Sequence, residues 1–135
     1  MKDVTAAIIV KEGQVLIARR APGEKHAGGW EFPGGKVEEG ETPEECSERE
    51  LSEEFGIESE VQEFITSSIY EYPQGSIRLL AYKVNFLRGE IQLRVHDRYD
   101  WVDIDQLPNY QLLPADIPIA LFLSSQKLFS RTTDE

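Results

Sequence analysis

The apolar positions of this chain fall into short blocks of strand length, and only two stretches carry a helical signature. Residues 4–10 (Val-Thr-Ala-Ala-Ile-Ile-Val) and 14–20 (Gln-Val-Leu-Ile-Ala-Arg-Arg) flank Lys11-Glu12-Gly13, a hairpin signal. Residues 21–35 are rich in glycine and proline and predict a long loop, which in a compact domain is usually functional. Residues 61–71 and 76–87 are β-rich and flank a second hairpin signal, Pro73-Gln74-Gly75. Residues 99–103 predict a short strand.

The first helix is announced by its ends. Thr42 is a cap, Pro43 suits the first helical position, and Glu45 completes a capping box. The helix is expected to run to about Phe55 and stop at Gly56. A second helix is expected over 115–129, with Pro118 in its first turn, and a frayed tail over about 130–135. Strands interleaved with two main helices predict a mixed α/β sandwich, and 135 residues predict one domain, 1–135.

Composition narrows the function classes. No apolar run approaches the roughly 18 residues of a membrane span, and Met1-Lys2-Asp3 leads directly into a strand rather than a leader. Cys46 is the single cysteine, so no internal disulfide is possible, and a reducing, cytoplasmic setting is expected. The formal charge of −11 opposes binding to nucleic-acid polymers or anionic membranes. A small phosphorylated substrate is also an anion, so it needs locally clustered cations or bridging metal.

The first helix supplies the means to hold metal. With about 100° per residue and Glu50 set at zero, Glu53 falls near −60° and Glu54 near +40°, roughly one face. Leu51 and Phe55 share the neighbouring, core-facing stripe. Three carboxylates so close repel unless a cation sits among them, and Mg²⁺ takes oxygen ligands of this kind. Arg49 is expected off that cluster, in a salt bridge to Glu41 or the preceding loop. Gly34-Gly35 is expected to allow close backbone approach.

Residues 35–57 read Gly35-x5-Glu41-x7-Arg49-Glu50-Leu51-x-Glu53-Glu54-x-Gly56-Ile57. This resembles the signature of the Nudix hydrolases at every defined position. Trp30-Glu31-Phe32-Pro33-Gly34-Gly35-Lys36 resembles the approach to that box in the MutT-like branch, and Leu113-Pro114-Ala115-Asp116-Ile117-Pro118 resembles the closing segment of its CTP pyrophosphohydrolase and 8-oxo-dGTP diphosphatase subgroup. The resemblance implies a Nudix α/β/α sandwich and cleavage of a nucleoside triphosphate to monophosphate and pyrophosphate. Water attacks the β-phosphorus with Mg²⁺ or Mn²⁺ in support.

It also implies roles. The Gly35 carbonyl, Glu50, Glu53 and Glu54 are metal ligands, and Glu50 or a neighbour is the general base. Arg20 and Lys36 bind phosphate, Phe32 packs a base, and Asp116 reads it. An ionised Asp116 only accepts hydrogen bonds and favours an amino donor such as cytosine N4, whereas a protonated one also donates, which admits oxidised guanine. Two departures stand out. Val95-His96 lies where many members of the branch carry Glu-His, leaving Asp97 or Asp100 as substitutes and His96 as a structural residue. The hairpin tip Pro73-Gln74-Gly75 lacks the arginine of the oxidised-guanine enzyme. Other readings are a Nudix hydrolase of nucleotide sugars or dinucleotides, and a nucleotide-sensing module without catalysis. Family habit implies a monomer or homodimer.

Overall fold

A computed structural model describes residues 1–129; the tail expected to fray, 130–135, lies outside the described residues. Six strands and two helices follow in the order β1 (Lys2–Lys11), β2 (Gln14–Arg20), β3 (Trp30–Glu31), α1 (Pro43–Phe55), β4 (Glu58–Tyr72), β5 (Gly75–Arg88), β6 (His96–Asp103), a 3-10 turn (Ile104–Asn109) and α2 (Asp116–Ser125). The sheet is mixed, in the order β3-β2-β1-β5-β4 with β6 also paired to β2; β1 and β5 run parallel and the other pairs antiparallel.

Strand alternation divides the core into two layers. Ala6, Ile8, Val15, Ile17, Leu79 and Ala81 face α2 and bury Ile119, Ala120 and Leu123. Ala7, Ile9, Leu16, Ala18, Leu80 and Val84 face the other way and bury Leu51 and Phe55 of α1. Each large apolar side chain so enclosed contributes roughly 1.5–3 kcal/mol. The result is the expected α/β/α sandwich.

Local signals act as the sequence predicts. The Glu12-Gly13 turn has positive φ at both residues, 53° and 80°, and its twist suits a two-residue hairpin. Thr42 and Glu45 exchange both capping-box bonds at 3.0 Å, and Gly56 ends α1 in the left-handed region at φ 68°.

Four expectations are adjusted. The 21–35 loop contains the two-residue strand β3, a pairing too short to leave a periodic signal. The hairpin strands β4 and β5 extend past their apolar cores because pairing continues through polar residues. Strand β6 begins at His96, and a 3-10 turn follows it. Helix α2 stops at Ser125 rather than 129: Lys127 and Phe129 take positive φ, and the Leu128 N–H closes back on the Leu123 carbonyl. No helix among the described residues is long and apolar enough to cross a membrane.

One feature of the sheet builds the site. Strand β1 pairs with β2 only next to their hairpin, at Val10↔Val15 and Lys11↔Gln14. β6 lines the other edge of β2 along its whole length; beyond the hairpin β2 pairs with β3 at Ala18 and Arg19, and residues 33–37 take the vacated edge of β1. The Ala7 N–H donates to the Pro33 carbonyl at 2.7 Å, Thr5 N–H to Gly35 at 2.8 Å and Val37 N–H to Asp3 at 2.9 Å. A side chain at Gly34 would run into the Thr5 carbonyl, so the wedge demands glycine there.

Candidate functional site

The wedge presses Gly35 against α1. A Cβ at Gly35 would collide with the Glu50 carboxylate, which fixes Glu50 at the edge of the glycine loop. Glu54, one turn on, is half-buried, and its Oε1 is sealed from solvent with no hydrogen-bond partner among the described residues. Burial, then the charge of Glu50 and a bond to it, and then Glu31, push its carboxyl up to about 8. Glu53 differs from expectation. Its side chain is 59% exposed, pairs with Arg49 at 3.1 Å and stays at the rim instead of entering the cavity.

Arg49 reaches further than its helical angle suggested. It grips Glu41 at 2.6 and 3.0 Å and the Lys36 carbonyl at 3.2 Å, and also touches Glu50 and Glu53 at 3.1 Å each. A long guanidinium reaches from the preceding loop to the next turn of its own helix, which a wheel drawn at Cα cannot show. Its bond to Glu41 pulls that carboxyl down to about 2.

The Gly35 carbonyl, expected as a metal ligand, is engaged within the fold. It accepts from Thr5 N–H at 2.8 Å, with Thr5 Oγ1 at 3.3 Å and the Cys46 thiol at 3.4 Å, the thiol being nearer the Lys36 carbonyl at 3.2 Å, so it faces β1 and α1. Pro33 and Gly35 both point their carbonyls at β1, and Gly34 and Gly35 both line the cavity described next.

Beside the carboxylates lies a cavity of about 480 Å³. Its lining brings together Arg20, Phe32, Gly35, Lys36, Glu50, Glu54 and Asp116, residues spread over nearly a hundred positions in sequence. Arg20 projects into it from the end of β2, while its neighbour Arg19 turns outward to Asp97 at 2.8 Å, as strand alternation requires. Lys36 lines the rim and forms no salt bridge among the described residues.

Phe32 and Asp116 form the other end. Phe32 is 2% exposed, belongs to the α2-side core and still presents an edge to the cavity. Its backbone N–H donates to Asp116 Oδ2 at 2.9 Å. Asp116 sits in the first turn of α2 without capping it. Burial, and secondarily the nearby Glu31, raise its carboxyl well above the usual carboxylate range, against the Phe32 N–H. Ser68 Oγ donates to the Ala115 carbonyl at 3.0 Å and ties this turn to β4.

Two cavity residues were not singled out from sequence. Glu31 lies at its centre: Oε2 accepts from Arg20 at 2.9 Å and meets His96 Nε2 at 2.8 Å. Its charge reaches both Glu54 and Asp116. It therefore supplies a carboxylate next to His96, whereas Asp97 is taken by Arg19, and Asp100 accepts from Tyr110 at 2.8 Å. The signal existed in β3, where Glu31 pairs with Ala18 of β2 and its side chain reaches Arg20 two residues on, but the pairing is invisible without the fold. Tyr72 closes the mouth, with its ring 5.4 Å from that of His26.

The donor set suits a hard divalent cation: carboxylate oxygens, one of them buried and unpartnered, beside the backbone of Gly34 in the cavity wall. No three acidic, imidazole or thiol groups among the described residues already converge on one point. Glu53 would have to leave Arg49 to join Glu50 and Glu54.

Residues 1–123 match the NUDIX domain family. The chain is 40% identical to the CTP pyrophosphohydrolase of Escherichia coli (strain K12) over 119 residues, 88% of each chain. It is 40% identical to the 8-oxo-dGTP diphosphatase of Haemophilus influenzae over 115 residues, 84% of this chain and 85% of that one. Among solved structures, the E. coli ORF135 protein matches with a TM-score of 0.85 at 38% identity, covering 95% of this chain and 91% of that one. The MutT protein of Methanosarcina mazei matches with a TM-score of 0.82 at 25% identity, covering 93% and 95%. With the carboxylate helix, the glycine wedge and these matches agreeing, the chain belongs to the Nudix hydrolases, in their MutT-like branch.

Proposed function

We propose that the protein hydrolyses a nucleoside triphosphate to the monophosphate and pyrophosphate, with Mg²⁺ as the preferred ion and Mn²⁺ as a substitute. One observation carries this reading: a single cavity joins a buried, base-sized end at Phe32 and Asp116 to a carboxylate end at Glu50 and Glu54, with Arg20 between them. Its volume suits one small nucleotide.

Glu50, Glu53, Glu54 and the Gly34 carbonyl, in place of Gly35, would hold the metal, which supplies charge neutralisation on the phosphates and a more acidic water. Arg20 exchanges Glu31 for a phosphate oxygen, and Lys36 offers a second cation. Glu50 and Glu54 face the cavity, and one of them takes the proton of the attacking water. The water oxygen joins the β-phosphorus, and the bridging oxygen leaves on the monophosphate. Tyr72 offers its ring to the base and Phe32 its edge, and Asp116 Oδ1, not engaged by Phe32, contacts the base edge. The similarity to a CTP pyrophosphohydrolase and an 8-oxo-dGTP diphosphatase supports cytosine and oxidised purine nucleotides as first substrates.

The test is a panel of canonical and oxidised triphosphates, a nucleotide sugar and a dinucleoside polyphosphate, with Mg²⁺ in ¹⁸O-enriched water. Pyrophosphate carrying the label, with an unlabelled monophosphate, is expected. Orthophosphate alone, label in the monophosphate, or turnover of the sugar nucleotide only would reject the reading.

A further inference from the structure

His96 begins β6 opposite Arg20 of β2, and its side chain is fully buried. Its ring stacks on Phe55 at 5.1 Å, one residue beyond Glu54 on α1. Nε2 meets Glu31 Oε2 at 2.8 Å, while Nδ1 has no partner among the described residues. A buried imidazole with one unpartnered nitrogen is a costly way to fill space beside a phenyl ring. The contact it does make is directed at a cavity carboxylate.

That carboxylate competes with substrate. Arg20 Nη1 holds Glu31 Oε2 at 2.9 Å, and Glu24 lies 3.6 Å from Nη2. A phosphate can reach Arg20 fully only by displacing Glu31. The same oxygen serves both Arg20 and His96, and Arg20 Nε donates to the Lys25 carbonyl at 2.5 Å, so the Arg20–Glu31 contact is monodentate. A carboxylate free to turn would form the stronger two-toothed fork on the guanidinium. When Arg20 leaves, Oε2 keeps a donor in His96, and Glu31 is not stranded beside Glu54 and Asp116 without a partner. We propose that His96 is a positioning residue for phosphate capture: it pins Glu31 through Oε2 so that Arg20 can be surrendered to the substrate. The proposal rests on the reading of Arg20 as the phosphate-binding residue.

His96→Phe keeps the stack on Phe55 and removes the donor, while His96→Gln keeps a donor. With the best triphosphate of the panel at saturating Mg²⁺, His96→Phe is expected to raise KM about tenfold, the scale of one lost hydrogen bond to a charged group, with kcat little changed. His96→Gln is expected to restore most of the loss. In a Glu31→Gln background His96→Phe should add nothing, because the carboxylate it restrains is gone. An unchanged KM in His96→Phe, or effects of the two substitutions that simply multiply, would overturn the proposal. Loss of folding alone would lower the melting temperature without that coupling, and if His96→Phe fails to fold, His96→Leu, which also lacks a donor, takes its place. Binding of inorganic tripolyphosphate, measured by calorimetry on the same variants, needs no turnover. Weaker binding in His96→Phe alongside absent hydrolysis would sink only the hydrolytic reading; equal binding would sink this one.

Discussion

Replacing Glu54 by Gln is expected to stabilise the metal-free protein, and to do so increasingly as pH rises. Burial, Glu50 and Glu31 raise the Glu54 carboxyl from the ordinary 4.5 to about 8. In the unfolded chain the group ionises at its ordinary value. Between the two values the folded state therefore holds a proton that the unfolded state has lost, and stability falls as pH rises from about 4.5 to about 8. A gap of roughly 3.5 pH units at about 1.4 kcal/mol each sets an upper bound near 5 kcal/mol. Glu54 is only partly enclosed, and solvent screening reduces this to roughly 2 kcal/mol. The Gln variant has no such proton. Its amide leaves a polar group in the same place at every pH, a constant offset that cancels in the comparison. In EDTA, the melting-temperature difference between variant and wild type should widen by roughly 5–10 °C between about pH 5 and about pH 9, for a domain of this size. Mg²⁺ should raise the wild-type melting temperature at the upper end and leave the variant almost unmoved. Parallel melting curves across that range, or equal responses to Mg²⁺, would refute the account of Glu54.

Asp116 predicts a pH-dependent choice of base. Its Oδ2 is occupied by the Phe32 N–H, so the retained proton resides on Oδ1 and donates to an oxo group; once pH rises through the raised carboxyl value, Oδ1 accepts from an amino group instead. The ratio of cytosine to oxopurine turnover should rise with pH in the wild type and stay flat in Asp116→Asn, which paired kcat/KM profiles will check. Gly35→Ala should displace Glu50 and lower kcat by about 10²-fold, the usual consequence of a misplacement near 1 Å, while melting changes little. Thr42→Ala removes the cap of α1 and should cost about 1 kcal/mol in urea titration, with KM unchanged.

Most of the fold could be read from the sequence because its devices are local. The Glu12-Gly13 turn, the Thr42–Glu45 box and the Gly56 stop each act within a few residues, and each appears where the pattern puts it. What escaped depends on contacts between distant segments. Nothing near residues 33–37 announces that β1 and β2 separate to admit them, yet that wedge sets the glycine loop against α1. The motif spacing points to Gly35, and only the fold shows its carbonyl bonded to Thr5 of β1. Glu31 was hidden for the same reason. Position 95 carries Val, and a search confined to its neighbours points to Asp97 and Asp100, whereas a carboxylate reaches His96 from 65 residues earlier in the chain.

The same distinction separates three glutamates that the motif treats alike. On a helical wheel Glu50, Glu53 and Glu54 share one face, and like charges at that spacing should oppose folding. The structure resolves the conflict by giving each a different environment. Glu50 is held between Gly35 and Arg49, Glu53 lies in solvent on the same arginine, and Glu54 retains a proton because neither Arg49 nor water reaches its inner oxygen. A divalent cation entering the cavity would remove the repulsion that keeps Glu54 protonated, and would draw Glu53 away from Arg49. The contacts of Arg49 with Glu41 and the Lys36 carbonyl do not depend on Glu50 or Glu53, so such a regrouping would not require the glycine loop to move. In the fold itself one arginine and one retained proton temper the repulsion among the three carboxylates, and Glu53 alone presents a solvated surface.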